Sequence, residues 1–313
     1  MARTSDDARK GLTAFYRDHG YIFARVGQPQ LEVIKDSADG KTREVALKIP
    51  VDEGAQYKVG KLAFTGNEIV KTEFLRPFFK LKEGDVYSEK RIRKGYEKAR
   101  EAYGSAGYME YVGAPDLDAR CFDENTLQPE PGCAGGPTNI VDVTWRSQEG
   151  AQYFVNRITF TGNTTTRDEV VRRELRLLEG SIFSTESLKY SVRRLNQLGY
   201  FKALEGPGKD VNVDKVATAE NKVDVKMKLE EQNRNQLTFG AGVSQYEGVF
   251  GQLAFQTANF LGRGESLTTS MQVGNRSQNY QLAFTEPFLF DRNITGGFDI
   301  YKRALQYIGY YTQ

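Results

Sequence analysis

An internal repeat constrains this chain of 313 residues more than any other feature. Two segments align at an offset of 96 positions. A later motif of the same two segments aligns at an offset of 92. The shared motifs are Ala-Gln-Tyr at 55–57 and 151–153, Phe-Thr-Gly-Asn at 64–67 and 160–163, Glu-Gly at 83–84 and 179–180, and Gly-Tyr at 107–108 and 199–200. The duplication predicts two copies of one structural unit in succession.

The first half of each copy is predicted to be a strand followed by a helix. In the second copy, residues 153–161 alternate polar and apolar side chains at period 2, as a strand does. Thr166 and Glu169 have the spacing of a capping box, which predicts the start of a helix. That helix is expected to end at Gly180. Its predicted apolar face consists of Val170, Val171, Leu175 and Leu178.

The second half of each copy is predicted to be a helix followed by two strands. In the second copy the helix starts after Ser184 and ends at Gly199. The two closing strands are predicted at 201–204 and 223–229, with a turn at 206–208 after the first of them. The unit is therefore β-α-α-β-β.

Residues 1–54 fit the back half of the same unit. Leu12, Phe15 and Tyr16 share one helical face, and Gly20 ends that helix. Strands are predicted around 30–34 and 43–49. Because a first strand and a first helix are missing, we expect the chain to begin inside a domain.

Residues 233–313 differ in composition from the residues before them. They contain 11 charged side chains, against 73 in the preceding 232 residues, and 14 of the 37 aromatic residues. The chain as a whole has 43 Lys and Arg against 41 Asp and Glu, which gives no electrostatic signature of nucleic-acid binding. The two parts of the chain are thus expected to occupy different surroundings.

Five segments after residue 235 alternate apolar with polar or small residues over about ten positions. They lie at 236–244, 249–257, 267–273, 280–285 and 294–301. Strands of about 9–11 residues with one apolar face are typical of transmembrane β-barrels, whereas strands of a soluble β-sandwich average about 5–6 residues. Since single-chain barrels have about eight strands or more, we expect an incomplete barrel and a fragment cut at both ends.

The repeats and the alternating strands together resemble the BamA family of bacterial outer-membrane protein assembly factors. The stretches that carry the resemblance are the duplicated Phe-Thr-Gly-Asn units, Asn-Phe-Leu-Gly-Arg-Gly-Glu-Ser-Leu at 259–267 and Thr-Glu-Pro-Phe at 285–288. The resemblance covers nearly the whole chain. It implies a truncated POTRA domain at 1–54, a complete one at 55–148, the last one at 149–232, and the first five barrel strands at 233–313.

The resemblance implies a non-enzymatic insertase in the bacterial outer membrane, with POTRA domains in the periplasm. Its partners would be unfolded outer-membrane proteins, lipoproteins of the BamD type and outer-membrane lipid, without nucleic acid and without a cofactor or metal. The first barrel strand would serve as a template for the client by β-augmentation. That client-binding strand corresponds to Gln236, Leu237, Thr238, Phe239, Gly240, Ala241, Gly242 and Val243.

A charged run on the predicted first helix of the last repeat is the second candidate site. By resemblance, Arg172, Arg173, Glu174 and Arg176 would dock a partner lipoprotein. The alternative is an ordinary solvated helix face. The first repeat has Pro77 where Arg173 stands, so this surface would belong to the last repeat alone.

Cys121 and Cys133 lie in an insertion between two predicted strands of the first complete repeat. In an oxidising periplasm we expect a disulfide, which would stabilise so short a loop by about 3 kcal/mol, with two free thiols as the alternative. His19 is the only histidine, and no acid–base, nucleophile or metal constellation accompanies it. No catalytic residue is predicted.

Three other functions share parts of this pattern. A TamA-type translocation and assembly protein also combines POTRA domains with a barrel, and a two-partner secretion transporter does so with two POTRA domains. A soluble β-rich enzyme with repeat modules is the third alternative, and it lacks support because no catalytic constellation is present.

Overall fold

The structure, a computed structural model, describes residues 2–36, 43–120, 122–123, 128–129, 139–245 and 247–306. The chain divides into two compact units, Met1–Gln152 and Tyr153–Gln313. In the described ranges, no helix is long and apolar enough to cross a membrane.

The first unit begins with a helix and short antiparallel strand pairs. The elements are α1 (Ala2–Asp18), β1 (Arg25–Val26), β2 (Gln30–Asp36), β3 (Arg43–Lys48) and β4 (Val51–Asp52). Strand β2 pairs with β3, and β1 pairs with β4. The helix and the two longer strands lie where the sequence predicts them. Leu31, Val33, Val45 and Leu47 on the β2–β3 hairpin are exposed.

The first complete repeat is a three-stranded sheet covered by two helices. Its elements are β5 (Lys58–Thr65), α2 (Thr72–Phe79), α3 (Glu89–Ser105), β6 (Val112–Ala119), the two-residue strands β7 (Phe122–Asp123) and β8 (Gln128–Pro129), and β9 (Ile140–Gln148). The sheet order is β5-β9-β6, with β5 and β9 parallel. A parallel pair needs a long crossover, and α2 and α3 supply it. Phe79 and Trp145 are buried between the helices and the sheet.

The second repeat, in the second unit, has the same topology. Its elements are β10 (Phe154–Thr161), α4 (Asp168–Arg172), α5 (Thr185–Leu198), β11 (Val211–Lys215) and β12 (Lys222–Lys228). The order is β10-β12-β11, again with the first and last strands parallel. Ser184 caps α5, and Gly199 ends it in the left-handed conformation, as predicted. The β-α-α-β-β unit is confirmed.

The strand predicted at 201–204 is wrong. The Asn196 side chain donates to Leu204 O at 3.2 Å and accepts from Leu204 N at 2.8 Å. Both backbone groups of Leu204 are therefore satisfied by a side chain instead of a sheet. The strand that pairs with β12 is β11, and the turn at 206–208 precedes it.

The capping box predicted at Thr166 is also wrong. Helix α4 has five residues, its N-cap is Arg167, and no side chain caps it. The Thr166 hydroxyl instead accepts a hydrogen bond from the Asn259 side chain at 2.8 Å. The helix ends at Arg172 and not at Gly180 as predicted. Leu178, which was expected on its apolar face, is 68% exposed, and Leu177 is buried instead.

Residues 236–305 form a five-stranded antiparallel sheet. Its strands are β13 (Gln236–Ser244), β14 (Gly248–Phe260), β15 (Glu265–Gly274), β16 (Ser277–Glu286) and β17 (Gly296–Leu305). Each strand pairs with the next along the chain. A short 3₁₀ turn at Leu289–Asp291 lies between β16 and β17. The predicted strands are confirmed, except that Ile294 lies before β17.

Two glycines of the second repeat give a matched test of backbone strain. Gly162 has φ +91°, and a Cβ placed there would lie 2.0 Å from the Leu229 carbonyl oxygen. Gly180 has φ +83° with no atom within 4 Å of such a Cβ. We expect Gly180→Ala to cost about 1 kcal/mol of stability and Gly162→Ala at least about 3 kcal/mol. Hydrogen exchange of the β10 and β12 amides in detergent measures both, and equal effects would contradict the prediction.

Candidate functional site

The predicted client-binding strand is an edge of the five-stranded sheet. Residues 236–243 lie in β13, which pairs with β14 from Gln236 opposite Gln256 to Ser244 opposite Gly248. Within the described residues β13 pairs with β14 alone. Among the described strands of this sheet, β13 and β17 each pair on one side only, and an edge strand can offer its backbone N–H and C=O groups for β-augmentation.

The two glycines of β13 have different surroundings. A Cβ at Gly242 would lie 2.8 Å from the Phe250 ring, so this ring packs against the bare backbone. A Cβ at Gly240 would meet only Gln252, at 3.7 Å. Gly242 is thus needed for packing against β14. Gly240 leaves the strand without a side chain where space for one exists.

A carboxylate anchors the segment that leads into β13. Glu231 accepts hydrogen bonds from Thr165 N at 2.9 Å, Thr166 N at 2.6 Å and the Thr164 hydroxyl at 2.8 Å. Partial burial on its own raises the pKa of Glu231, but these hydrogen bonds outweigh it and lower the pKa to about 2. The ionised side chain is a strong acceptor for the loop before α4.

The first repeat has the same carboxylate cap. Glu149, which follows β9, accepts hydrogen bonds from the backbone N–H groups of Glu68, Ile69 and Val70. The Tyr103 hydroxyl also donates to it. A glutamate just after the last strand therefore closes the loop before the first helix in both repeats.

The remainder of the 230–234 segment is held on the second repeat as well. Lys202 N donates to Glu230 O, and Gln232 N donates to Tyr200 O, both at 2.8 Å. The Arg234 Nε donates to Gly199 O at 2.6 Å, which places a cation at the C-terminus of α5, where the helix dipole favours it. The 230–234 segment is thus bound to the second repeat along most of its length.

The turn between β14 and β15, residues 259–265, docks on the loop that Glu231 closes. The Asn259 side chain donates to the Thr166 hydroxyl, and Arg167 N donates to Gly262 O at 3.0 Å. The Tyr200 hydroxyl donates to Gly264 O at 3.3 Å. Together with a hydrogen bond from the Arg173 side chain to Arg263 O at 3.4 Å, these contacts fix the turn on the second repeat.

The close approach of this turn requires its glycines. Gly262 has φ +71°, and a Cβ on it would lie 2.0 Å from Thr165 O. Gly264 has φ +77°, and a Cβ on it would lie 2.4 Å from an Arg173 guanidinium nitrogen. The Arg173 guanidinium lies 4.2 Å from the centre of the Phe288 ring, a cation–π contact.

The four residues of the predicted lipoprotein-docking surface make separate contacts within the second unit. Arg172 donates to Ile158 O and Glu179, and Arg176 lies over the Tyr190 ring. These two residues are exposed.

The other two residues of that prediction face the protein. Arg173 contacts the strand turns, as described above. Glu174 is only 6% exposed and pairs with Arg194 at 3.0 Å, so its carboxylate is not presented to a partner. The docking surface stays a prediction, and Arg172 and Arg176 are the accessible part of it.

The predicted Cys121–Cys133 disulfide lies outside the described residues and stays a prediction. In the part of the chain that the structure describes, no group of three or more His, Cys, Asp or Glu side chains could hold a metal ion.

Comparison with known proteins agrees with this architecture. Residues 57–146 and 153–232 match the POTRA family, the surface antigen variable number repeat, and residues 259–313 match the Omp85 superfamily domain. The chain belongs to the POTRA and Omp85 family and is of the BamA type. Members of this type are outer-membrane proteins whose POTRA repeats lie in the periplasm, and this assigns the location of the chain.

Named relatives match over nearly the whole chain. The outer membrane protein assembly factor BamA of Neisseria meningitidis serogroup B is 31% identical over 94% of this chain and 34% of its own length. BamA of Nitratidesulfovibrio vulgaris is 28% identical over 93% of this chain and 34% of its own length. The chain thus spans about a third of the length of these relatives.

Two solved structures share the fold. BamA from Haemophilus ducreyi lacking POTRA domains 1–3 matches with a TM-score of 0.60 and 24% identity, over 79% of this chain and 43% of that one. Haemophilus influenzae BamA POTRA3–5 matches with a TM-score of 0.55 and 21% identity, over 72% of this chain and 80% of that one.

The cap at Glu231 predicts a pH-dependent contribution to the stability of the second POTRA repeat. Its pKa is lowered from the ordinary value of 4.5, so the stabilisation is complete above about pH 4.5 and is lost as the pH falls toward about 2. We expect Glu231→Gln to cost about 1–2 kcal/mol at pH 7, since solvent screens part of the interaction, and progressively less below pH 4.5.

Hydrogen exchange of the 164–166 amides across this pH range measures the effect. The matched control is Glu230→Gln, because Glu230 is exposed and its ion pair with Lys202 is solvated. That change is expected to stay within about 0.5 kcal/mol. Identical pH profiles for the two variants would refute the prediction.

The contact between Arg173 and Phe288 predicts an energetic coupling between the POTRA repeat and the strands. In a double-mutant cycle of Arg173→Ala and Phe288→Ala, we expect a coupling of about 0.5–2 kcal/mol. Hydrogen exchange at Gly262 and Gly264 reports the opening of the docked turn. Additive effects of the two substitutions would show that the contact does not contribute.

Proposed function

We propose that the chain takes part in folding β-barrel proteins and inserting them into the bacterial outer membrane, and that it does so without covalent chemistry. The observation that carries the proposal is the position of β13 at the sheet edge, with one row of backbone groups lacking a strand partner in the described residues. The names of the relatives, which are assembly factors, support it. A client strand would pair with this edge.

Backbone pairing suits a protein that must accept many client sequences. The N–H and C=O groups of a strand are the same whatever its side chains are, so an edge strand selects for extended backbone. Each hydrogen bond contributes about 0.5–1.5 kcal/mol net, which allows a short paired strand to be released. At Gly240 the missing side chain further weakens cross-strand contacts.

The outward side chains of β13 are suited to lipid. Leu237 is 57% exposed, Phe239 75% and Val243 80%. These three alternate with Thr238 and Gly242 along the strand, which gives one apolar face. We propose that this face contacts the outer-membrane hydrocarbon while the edge pairs with the client.

The periplasmic POTRA repeats would bring clients and partner lipoproteins to that edge. Arg172 and Arg176 are exposed cations on the second repeat, and a lipoprotein of the BamD type with an acidic surface would complement them. The strands and the second repeat are joined by the docked turn at 259–265, so a partner bound to the repeat would sit on the element that carries β13.

Photocrosslinking tests the proposal. The full-length protein carries a photoreactive amino acid at Thr238 or Gly240 while a labelled outer-membrane client is assembled. We expect crosslinks to a terminal strand of the client. The matched control is Thr269 in β15, which pairs with β14 and β16 on its two sides and should give no client crosslink.

A different crosslinking pattern would contradict the proposal. Crosslinks from β13 only to the protein's own last strand, with the client crosslinked inside the barrel lumen, would overturn the assembly function. That outcome would favour a secretion transporter.

A further inference from the structure

The two POTRA repeats build the same loop between their first strand and first helix. In addition to the glutamate caps, Asn67 donates from its side chain to Val70 O, and Asn163 donates to Thr166 O, both at 3.0 Å. The preceding glycine in each repeat lies against the carbonyl of a residue at the end of the last strand. The loop backbones are therefore bonded in the same way, and residues 96 apart are structurally equivalent.

In the second repeat, this loop and the start of α4 form a turn-binding surface. It consists of Thr165, Thr166, Arg167, Val170 and Arg173, which contact the 259–265 turn. The Arg167 N–H holds a turn carbonyl, and a Cβ on Gly264 would lie 3.2 Å from Val170. The ligand is thus a glycine-containing reverse turn of a β-hairpin.

The equivalent residues of the first repeat form an exposed surface. They are Ile69, Val70, Lys71, Phe74 and Pro77. Ile69 is 52% exposed and Phe74 is 66% exposed, which is unusual for side chains of this size beside a packed core. Lys71 is the N-cap of α2, and its N–H has no acceptor among the residues that the structure describes.

The surface on the first repeat is less polar than the turn-binding surface of the second repeat. Thr165 and Thr166 are replaced by Ile69 and Val70, and Arg173 is replaced by Pro77. The polar partners of Asn259 and Phe288 are thereby lost, while the backbone donor at the helix start is kept. A ligand for the first repeat would therefore offer a turn carbonyl with apolar flanking side chains.

We propose that Ile69, Lys71 and Phe74 form a second turn-binding surface, which takes the reverse turn of a β-hairpin from an outer-membrane client during assembly. Hairpins of membrane strands offer glycine-rich turns flanked by apolar residues, which matches this chemistry. The inference rests on the proposed function. It places a client contact on the helix side of the POTRA repeat, away from the edges of its sheet.

The test uses the full-length protein in lipid vesicles with a single labelled, urea-unfolded client and no lipoprotein. A photoreactive amino acid replaces Ile69, and mass spectrometry locates the crosslinks. We expect crosslinks to residues in client turns. Phe74→Ser should lower the crosslink yield at least fivefold, whereas Glu73→Ser, at the neighbouring exposed position of α2, should change it less than twofold.

Crosslinks from Ile69 to anything other than client turns would overturn the inference. Crosslinks to the middle of client strands would mean sheet-edge pairing, and crosslinks to lipid or to a second copy of the protein would identify a different ligand. A probe at Thr238 is run in parallel. Client crosslinks at Thr238 with none at Ile69 refute the turn-binding surface alone, and their absence at both positions refutes the proposed function as well.

Discussion

In each POTRA repeat a single glutamate closes the loop before the first helix, and the rest of the structure depends on this closure. Each POTRA repeat pairs its first and last strands in parallel, so the chain must leave the first strand and cross over through two helices. The loop that starts this crossover exposes backbone N–H groups that no helix or sheet satisfies. Glu149 and Glu231 accept hydrogen bonds from those groups and thereby fix the direction in which the first helix starts.

In the second repeat the same carboxylate also determines where the membrane strands begin. Glu231 lies five residues before β13, and Arg234 attaches the intervening segment to the end of α5. At the other strand of this hairpin, Asn259 is bound to Thr166. The base of the β13–β14 hairpin is thus held by the POTRA repeat. Strand pairing at the β13 edge would be most ordered near the repeat.

The strands of the five-stranded sheet and the longer helices could be predicted because their hydrophobic periodicity extends over about ten residues or more. The errors arose where a side chain replaced a backbone partner. Asn196 satisfies Leu204, which removes the strand predicted at 201–204, and Thr166 binds Asn259 instead of capping a helix. The role of Glu231 is not apparent from the polar run at 230–234 in which it stands, because a charged residue in such a run gives no indication of its partner. A sequence signal was present, because a glutamate, Glu149, also follows shortly after the last strand of the first repeat.

The duplication explains how one loop can serve two kinds of contact. Hydrogen bonds from Glu and Asn side chains to the backbone keep the loop unchanged, so the exposed side chains are free to differ. The polar pair of Thr166 with Asn259 is directional and suits one partner that is always present in the same chain. Contacts of Ile69 and Phe74 would be non-directional, and apolar burial tolerates variation in the partner. A fixed intramolecular joint and a surface for varied clients can therefore arise from one backbone.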